Sequence, residues 1–252
     1  METSAPTAVH ASRGIGGPKP WGLPAVLLAL LLPGLLWASS LITPLFAETP
    51  EDLSQGQVVA TLLFSILVGF LFIGLAAGLS LWRYRLSWSE LGIRPFDRGF
   101  WWLPLVAAGG AHAAIIVYGV VLTAVGAEGA VPEQEDLEEL FDSKAVLPLT
   151  AVATVIMAPV AEEIFFRGFV FAGMLRPFGP AGAMLTSGLL FGLFHVTGID
   201  TIGLVLPFGA IGILFAWLYY RTGSVWPSIV THLIFNLVSF IVLAVVVGSG
   251  SG

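Results

Sequence analysis

Six residues have side chains that could do chemistry and lie where the surrounding sequence is hostile to them. Glu162, Glu163 and Arg167 interrupt the apolar run 145–176, and His195, His232 and Asn236 lie in two later apolar runs. An ionisable group at the centre of a membrane helix costs about 2.5–3.5 kcal/mol on insertion scales. Three on one helix therefore point to pairing, with function as the reason for retaining them. On a helix, Glu163 and Arg167 are four apart and share a face, offset by about 40°, which is ion-pair spacing. Glu162 lies about 140° from Arg167 and points elsewhere. The spacing predicts that Arg167 neutralises Glu163 and leaves Glu162 facing a cavity as a general base. Pro159, three residues earlier, has no N–H, so it frees a backbone carbonyl and can kink the helix there.

The other polar groups also point inward. Gly188, Phe191, Gly192 and His195 follow helical spacing, and the two glycines form a small-xxx-small pair that lets another helix approach. Ser228, His232, Asn236 and Ser239 form a polar stripe on the last apolar run. His112, beside Gly109, Gly110 and Ala111, reads as packing or a helix–helix hydrogen bond, and His10 lies in the N-terminal tail. A carboxylate that takes a proton from water, two imidazoles and an amide suffice for peptide hydrolysis. The Glu and one His would activate the water, and the other His with Asn236 would stabilise the oxyanion.

Membrane helices must position these groups. Of 252 residues, 57% are hydrophobic and only 10% charged, against about 25% charged in a soluble domain. That balance excludes a soluble globule and a disordered chain. A net charge of -6 argues against a nucleic-acid partner, and the lack of cysteine removes thiolate chemistry. The runs 21–47, 53–82 and 99–127 carry no charge, and apolar runs follow at 145–176, 179–197, 201–220 and 225–247. Each is read as a membrane helix. The fold class is thus all-α, a polytopic transmembrane bundle of about seven spans, and an eighth would move only the C-terminus across. The expected division is a mobile tail at 1–20, three helices with an acidic loop at 21–144, a catalytic helical core at 145–247 and a flexible tail at 248–252. Within the acidic loop, 132–143 suits a short interfacial helix.

Placing the N-terminus in the cytoplasm puts Arg13, Lys19, Arg83, Arg85, Arg94, Arg98, Arg176 and Arg221 inside, and only Lys144 outside. The expected location is an integral, multi-pass position, in the plasma membrane if the source is prokaryotic. Depth poses a difficulty. Counted along straight helices, His232 lies about 12 Å from the cytoplasmic end of its span, Glu162 about 20 Å and His195 about 22–24 Å. Tilt, the Pro159 kink or a displaced span boundary must bring them level.

The motifs resemble a known family. Glu162-Glu163-Ile164-Phe165-Phe166-Arg167 matches EExxxR, Phe191 to His195 matches FxxxH, and His232 to Asn236 matches HxxxN. Together with the Arg221-Thr222-Gly223 turn, this order resembles the CPBP group of type II CAAX prenyl endopeptidases and Abi bacteriocin-processing and self-immunity proteins. The resemblance covers about 145–245. It implies that Glu162 with His195 activates the hydrolytic water, that His232 and Asn236 form the oxyanion site, and that Glu163 and Arg167 support the geometry. The substrate would be a membrane-associated protein or peptide, lipidated or not, met within the lipid bilayer. The family is described both as metalloprotease and as metal-free glutamate protease. The absence of HExxH favours the metal-free route; if zinc is bound, Glu162, His195 and His232 are the ligands.

Two readings from other classes compete. A proton-coupled transporter would also use intramembrane Glu, His and Arg. A non-catalytic scaffold or immunity protein would use the same residues only to hold the bundle. A rhomboid-type serine protease is disfavoured because Leu185-Thr186-Ser187-Gly188 lacks the leading Gly.

Overall fold

The computed structural model describes residues 19–42, 54–127, 146–196, 198 and 201–250, and the regular elements among them are all helical. Besides three short 3-10 turns, they are α1 (Leu23–Ile42), α2 (Gln55–Trp82), α3 (Leu103–Val125), α4 (147–178), α5 (180–193), α6 (Val205–Thr222) and α7 (Trp226–Gly250). Among the described residues, five helical stretches are long and apolar enough to cross a membrane, and Leu23–Ser39 is a shorter apolar one. The longest stretch, Leu147–Leu193, is two rods. Gly179 adopts φ 64°, ψ 178°, a conformation essentially confined to glycine. Ser187 Oγ donates to the Phe166 carbonyl at 3.1 Å, whereas an unbroken helix would hold them about 30 Å apart. So α4 and α5 are antiparallel neighbours.

Three expected boundaries move. The run 179–197 does not stay helical to its end: α5 stops at Leu193, and Phe194 and His195 occupy a turn. At about 21 Å, α5 is shorter than the roughly 30 Å apolar layer. At the C-terminus, α7 continues to Gly250, so the helix takes in residues expected in the flexible tail. Near the N-terminus, Lys19 belongs not to a mobile tail but to the packed structure: it is buried and its Nζ lies 2.8 Å from Glu90 Oε2. The proposed interfacial helix at 132–143 and His10 lie outside the described residues.

Local signals account for several ends. Ser54 caps α2 through a reciprocal capping box with Gln57. Pro104 sits in the first turn of α3, where its missing N–H costs nothing. Side chains such as Leu31, Leu67, Val120 and Val245 stand exposed on α1, α2, α3 and α7 and form the lipid-facing surface. Inside, Phe165, Phe166, Phe169 and Phe191 pack with Trp21 and Phe72; Trp21 stacks on Phe169 at 5.5 Å and Phe72 on Phe165 at 4.5 Å. Lipid tails are as apolar as these residues, so close packing holds the helices together. The small residues of α5 supply it: a methyl on Gly188 would stand 2.8 Å from the Gly209 carbonyl oxygen, and one on Gly192 2.5 Å from that of Val205.

One end of the bundle is tied by the segment between α2 and α3. Arg94 Nε donates to the Gly223 carbonyl at 2.6 Å, Ser224 Oγ to the Arg94 carbonyl at 2.6 Å, and Val225 N to that of Gly92 at 2.9 Å. Lys19 joins the same end through Glu90. The Lys19 hydrogen bond, followed by its charge, holds the Glu90 carboxyl below its ordinary value of 4.5. A depressed folded value means that this contribution to stability exists above the ordinary value and is lost as pH falls through the folded one. Glu90→Gln should therefore lower the midpoint of thermal unfolding slightly at pH 7, because the carboxylate is partly exposed. Once pH has fallen below the folded value, the variant and parent should coincide; a difference that persists there would assign it to another cause.

Candidate active site

The helix carrying the carboxylates is irregular. Within α4, Leu147–Ala151 is α-helical, Val152–Met157 is a π-helix, Ala158–Glu162 is α-helical and Glu163–Phe171 is again a π-helix. π turns widen the helix and recur at functional sites. All nine residues of the second π segment are buried, Glu163 and Arg167 among them.

The ion pair predicted by the four-residue spacing is present: Arg167 Nη1 donates to Glu163 Oε1 at 2.9 Å. Arg167 Nη2 donates to the Gly212 carbonyl on α6 at 3.1 Å, and the guanidinium lies over the Phe191 ring at 4.4 Å and that of Phe215 at 5.1 Å. Glu163 has a second partner that no sequence spacing reveals: His232 Nδ1, 69 residues away, at 3.1 Å. The pair thus ties α4 to both α6 and α7.

Glu162 faces another way. It lines a cavity of about 540 Å³ together with His195, His232 and Asn236, and neither Glu163 nor Arg167 reaches that wall. Glu162 Oε2 is buried without a hydrogen-bond partner among the described residues. Phe191, Phe208, Phe235, Phe240 and Leu243 supply much of the rest of the lining. The four polar residues therefore meet despite their unequal depths along straight helices. Two features reconcile them: α4 is widened by π turns, and His195 follows the end of a short α5.

The histidines are oriented by what their Nδ1 atoms meet. His195 Nδ1 lies 2.7 Å from the Phe191 carbonyl, and its ring stacks on Phe208 at 4.4 Å. A carbonyl can only accept, so His195 carries a proton on Nδ1 and, when neutral, a lone pair on Nε2. His232 Nδ1 faces an arginine-paired carboxylate, and the same reasoning puts a proton there. Asn236 Nδ2 donates to the Thr154 carbonyl at 2.8 Å, which leaves its second amide hydrogen uncommitted to that bond. Phe208 and the Thr154 carbonyl escape a reading of the sequence, because Phe208 is one aromatic in an apolar run and a carbonyl carries no side-chain signal. His112 bonds within its own helix, Nδ1 to the Ala108 carbonyl at 2.9 Å, and packs on Phe235 at 4.5 Å, so it makes no helix–helix hydrogen bond through that nitrogen.

The donor types of Glu162, His195 and His232 would suit zinc. Their placement does not: among the described residues, no three His, Asp or Glu side chains form a group able to hold a metal ion.

Comparison with known proteins finds a likeness over the helices that line the cavity. Residues 144–238 match the model of the type II CAAX prenyl endopeptidase Rce1-like family. Glu162, His195, His232 and Asn236 all fall inside the match. A relative from Bacillus subtilis (strain 168), named "Putative membrane peptidase YdiL", is 33% identical over 111 residues. The alignment covers 44% of this chain and 43% of the relative, so the chain spans less than half of that protein's length. No solved structure matches. The Rce1-like segment begins just before α4 and ends within α7, leaving α1 to α3 outside it.

Proposed function

We propose that this protein is an intramembrane endopeptidase that hydrolyses a peptide bond of a membrane-associated protein or peptide. One observation carries the reading: the Glu162 carboxylate, which has no ion pair among the described residues, lines a cavity with His195, His232 and Asn236, whereas Glu163 is paired through Oε1 and stays off that wall. A structural carboxylate in an apolar bundle would be paired, as Glu163 is. The Rce1-like segment and the peptidase name of its relative support the same class.

In the proposed reaction, Glu162 takes a proton from water while Nε2 of His195 accepts a hydrogen bond from it. The water oxygen attacks the carbonyl carbon. Negative charge then develops on the carbonyl oxygen, toward which Asn236 turns its second amide hydrogen. His232 joins it by carrying a proton on Nε2 as well, and the Glu163 carboxylate at Nδ1 stabilises that imidazolium. Glu162 returns its proton to the leaving nitrogen as the C–N bond breaks. Seclusion from water strengthens each of these interactions. Glu163 and Arg167 hold His232 and touch no substrate.

The same reading takes the metal-free route and requires no cofactor. The aromatic and aliphatic lining suits a substrate that arrives from the bilayer, lipidated or not. The one-sided distribution of the basic residues among the connecting segments supports a cytoplasmic N-terminus. The test is cleavage of a membrane-tethered peptide library by the purified protein in detergent, with and without chelator. Cleavage that is indifferent to chelator and falls strongly in Asn236→Ala would support the reading. Loss with chelator, restored by zinc, would overturn the metal-free route. Substrate-dependent flux without cleavage would overturn the enzyme.

A further inference from the structure

Pro159 belongs to none of the three motifs and does not line the cavity, yet the backbone around it bears on Asn236. In the first π segment of α4 the hydrogen bonds run from each N–H to the carbonyl five residues back. The last of them joins Ala158 N to the Ala153 carbonyl. The next bond in that register would join residue 159 to the Thr154 carbonyl. Residue 159 is proline and has no N–H. By Glu163 the helix has returned to α register, and Glu163 N reaches the Pro159 carbonyl. The Thr154 carbonyl therefore loses its main-chain donor through Pro159. In a membrane interior such a group must find another partner. The partner it finds is the Asn236 side chain, 82 residues away, at 2.8 Å.

We infer that Pro159 is a positioning residue: by withholding a main-chain donor it reserves the Thr154 carbonyl for Asn236 and so fixes the amide that faces the cavity. The consequence for catalysis rests on the proposed role of Asn236 as an oxyanion donor; the structural coupling does not. Orientation matters here because a misplaced donor loses most of its effect on a developing charge.

The test is Pro159→Ala. It restores an N–H that competes with Asn236 for the Thr154 carbonyl and removes a helix-interior proline. Two results are expected together. Thermal stability in detergent should be equal to or above that of the parent, while kcat falls about tenfold with KM little changed, a part of what losing an oxyanion donor outright costs. In an Asn236→Ala background, the same substitution should leave kcat where it was. A merely structural proline would lower stability and activity together, and a second loss of kcat in the Asn236→Ala background would overturn the inference.

A readout independent of cleavage separates this inference from the proposed activity. The drop in unfolding midpoint caused by Asn236→Ala should be smaller in the Pro159→Ala protein than in the parent, because Thr154 then has its own main-chain donor. Equal drops would overturn the coupling whether or not the protein cleaves peptides. If Pro159→Ala does not fold, Pro159→Ser restores the same N–H and serves in its place. A reduced drop without any peptide cleavage would sustain the coupling and overturn only the enzyme.

Discussion

Glu162→Gln should lower the rate of peptide cleavage by about a thousandfold, within the range for loss of a general base, and leave the bundle at least as stable as the parent. The two halves of this result have one origin. Glu162 Oε2 lies buried without a partner among the described residues, so the carboxylate is a cost to the fold and, on the proposed function, a resource for chemistry. The amide has almost the same shape but cannot take a proton from water. It also removes a charge from a low-dielectric site, which favours the folded state. A residue retained for structure behaves in the opposite way: neutralising it unpairs something, and the protein melts earlier. Unfolding followed by intrinsic fluorescence, alongside cleavage of a membrane-tethered peptide, distinguishes the cases. Parent-like cleavage by a folded Glu162→Gln protein would remove Glu162 from the chemistry.

Arg167→Leu should do the reverse and cost stability first. Arg167 is fully buried, pairs with Glu163 and also bonds the Gly212 carbonyl. Removing one partner of a buried pair typically destabilises by about 3–5 kcal/mol, because the remaining charge is stranded. Arg167→Lys should recover only part of this, since an ammonium cannot reproduce the fork that spans Glu163 and Gly212. The double variant Glu163→Leu with Arg167→Leu removes both charges and should recover most of the lost stability. Cleavage should not recover with it, because His232 would have lost the carboxylate at its Nδ1. Denaturation in detergent, measured with cleavage on the same four proteins, tests this. Equal recovery of both properties would show that Glu163 does nothing for His232.

The contrast between these two carboxylates was largely legible in the chain. Four residues separate Glu163 from Arg167, and the pairing follows from helical geometry alone. The helices were legible for a similar reason: long uncharged runs can be satisfied in only a few ways in a membrane. The break before α5 was marked by Pro177, Gly179 and Pro180. The π segments were not marked. A change of register leaves no trace in a stretch that is apolar on every side, because no polar face shifts with it. The end of α5 at Leu193 was hidden too, since Phe194 and Val196 continue the apolar pattern. That is why depths counted along straight helices disagreed. Long-range ties such as His232 to Glu163 and Asn236 to the Thr154 carbonyl depend on how α7 seats against α4, and no local spacing encodes that. Lys19 was misread for another reason: the composition of its neighbours is that of a tail, and its partner, Glu90, lies 71 residues away.

The brevity of α5 has a consequence for the lipid around the protein. A rod of about 21 Å cannot match a hydrocarbon layer of about 30 Å. The bilayer must thin beside it, or polar headgroups and water must descend toward the turn that carries His195. On the proposed role of Glu162, acyl-chain length would then become a variable of cleavage, because it would set how far water must travel to reach that carboxylate. The host membrane, through its thickness, acts as a component of the cavity.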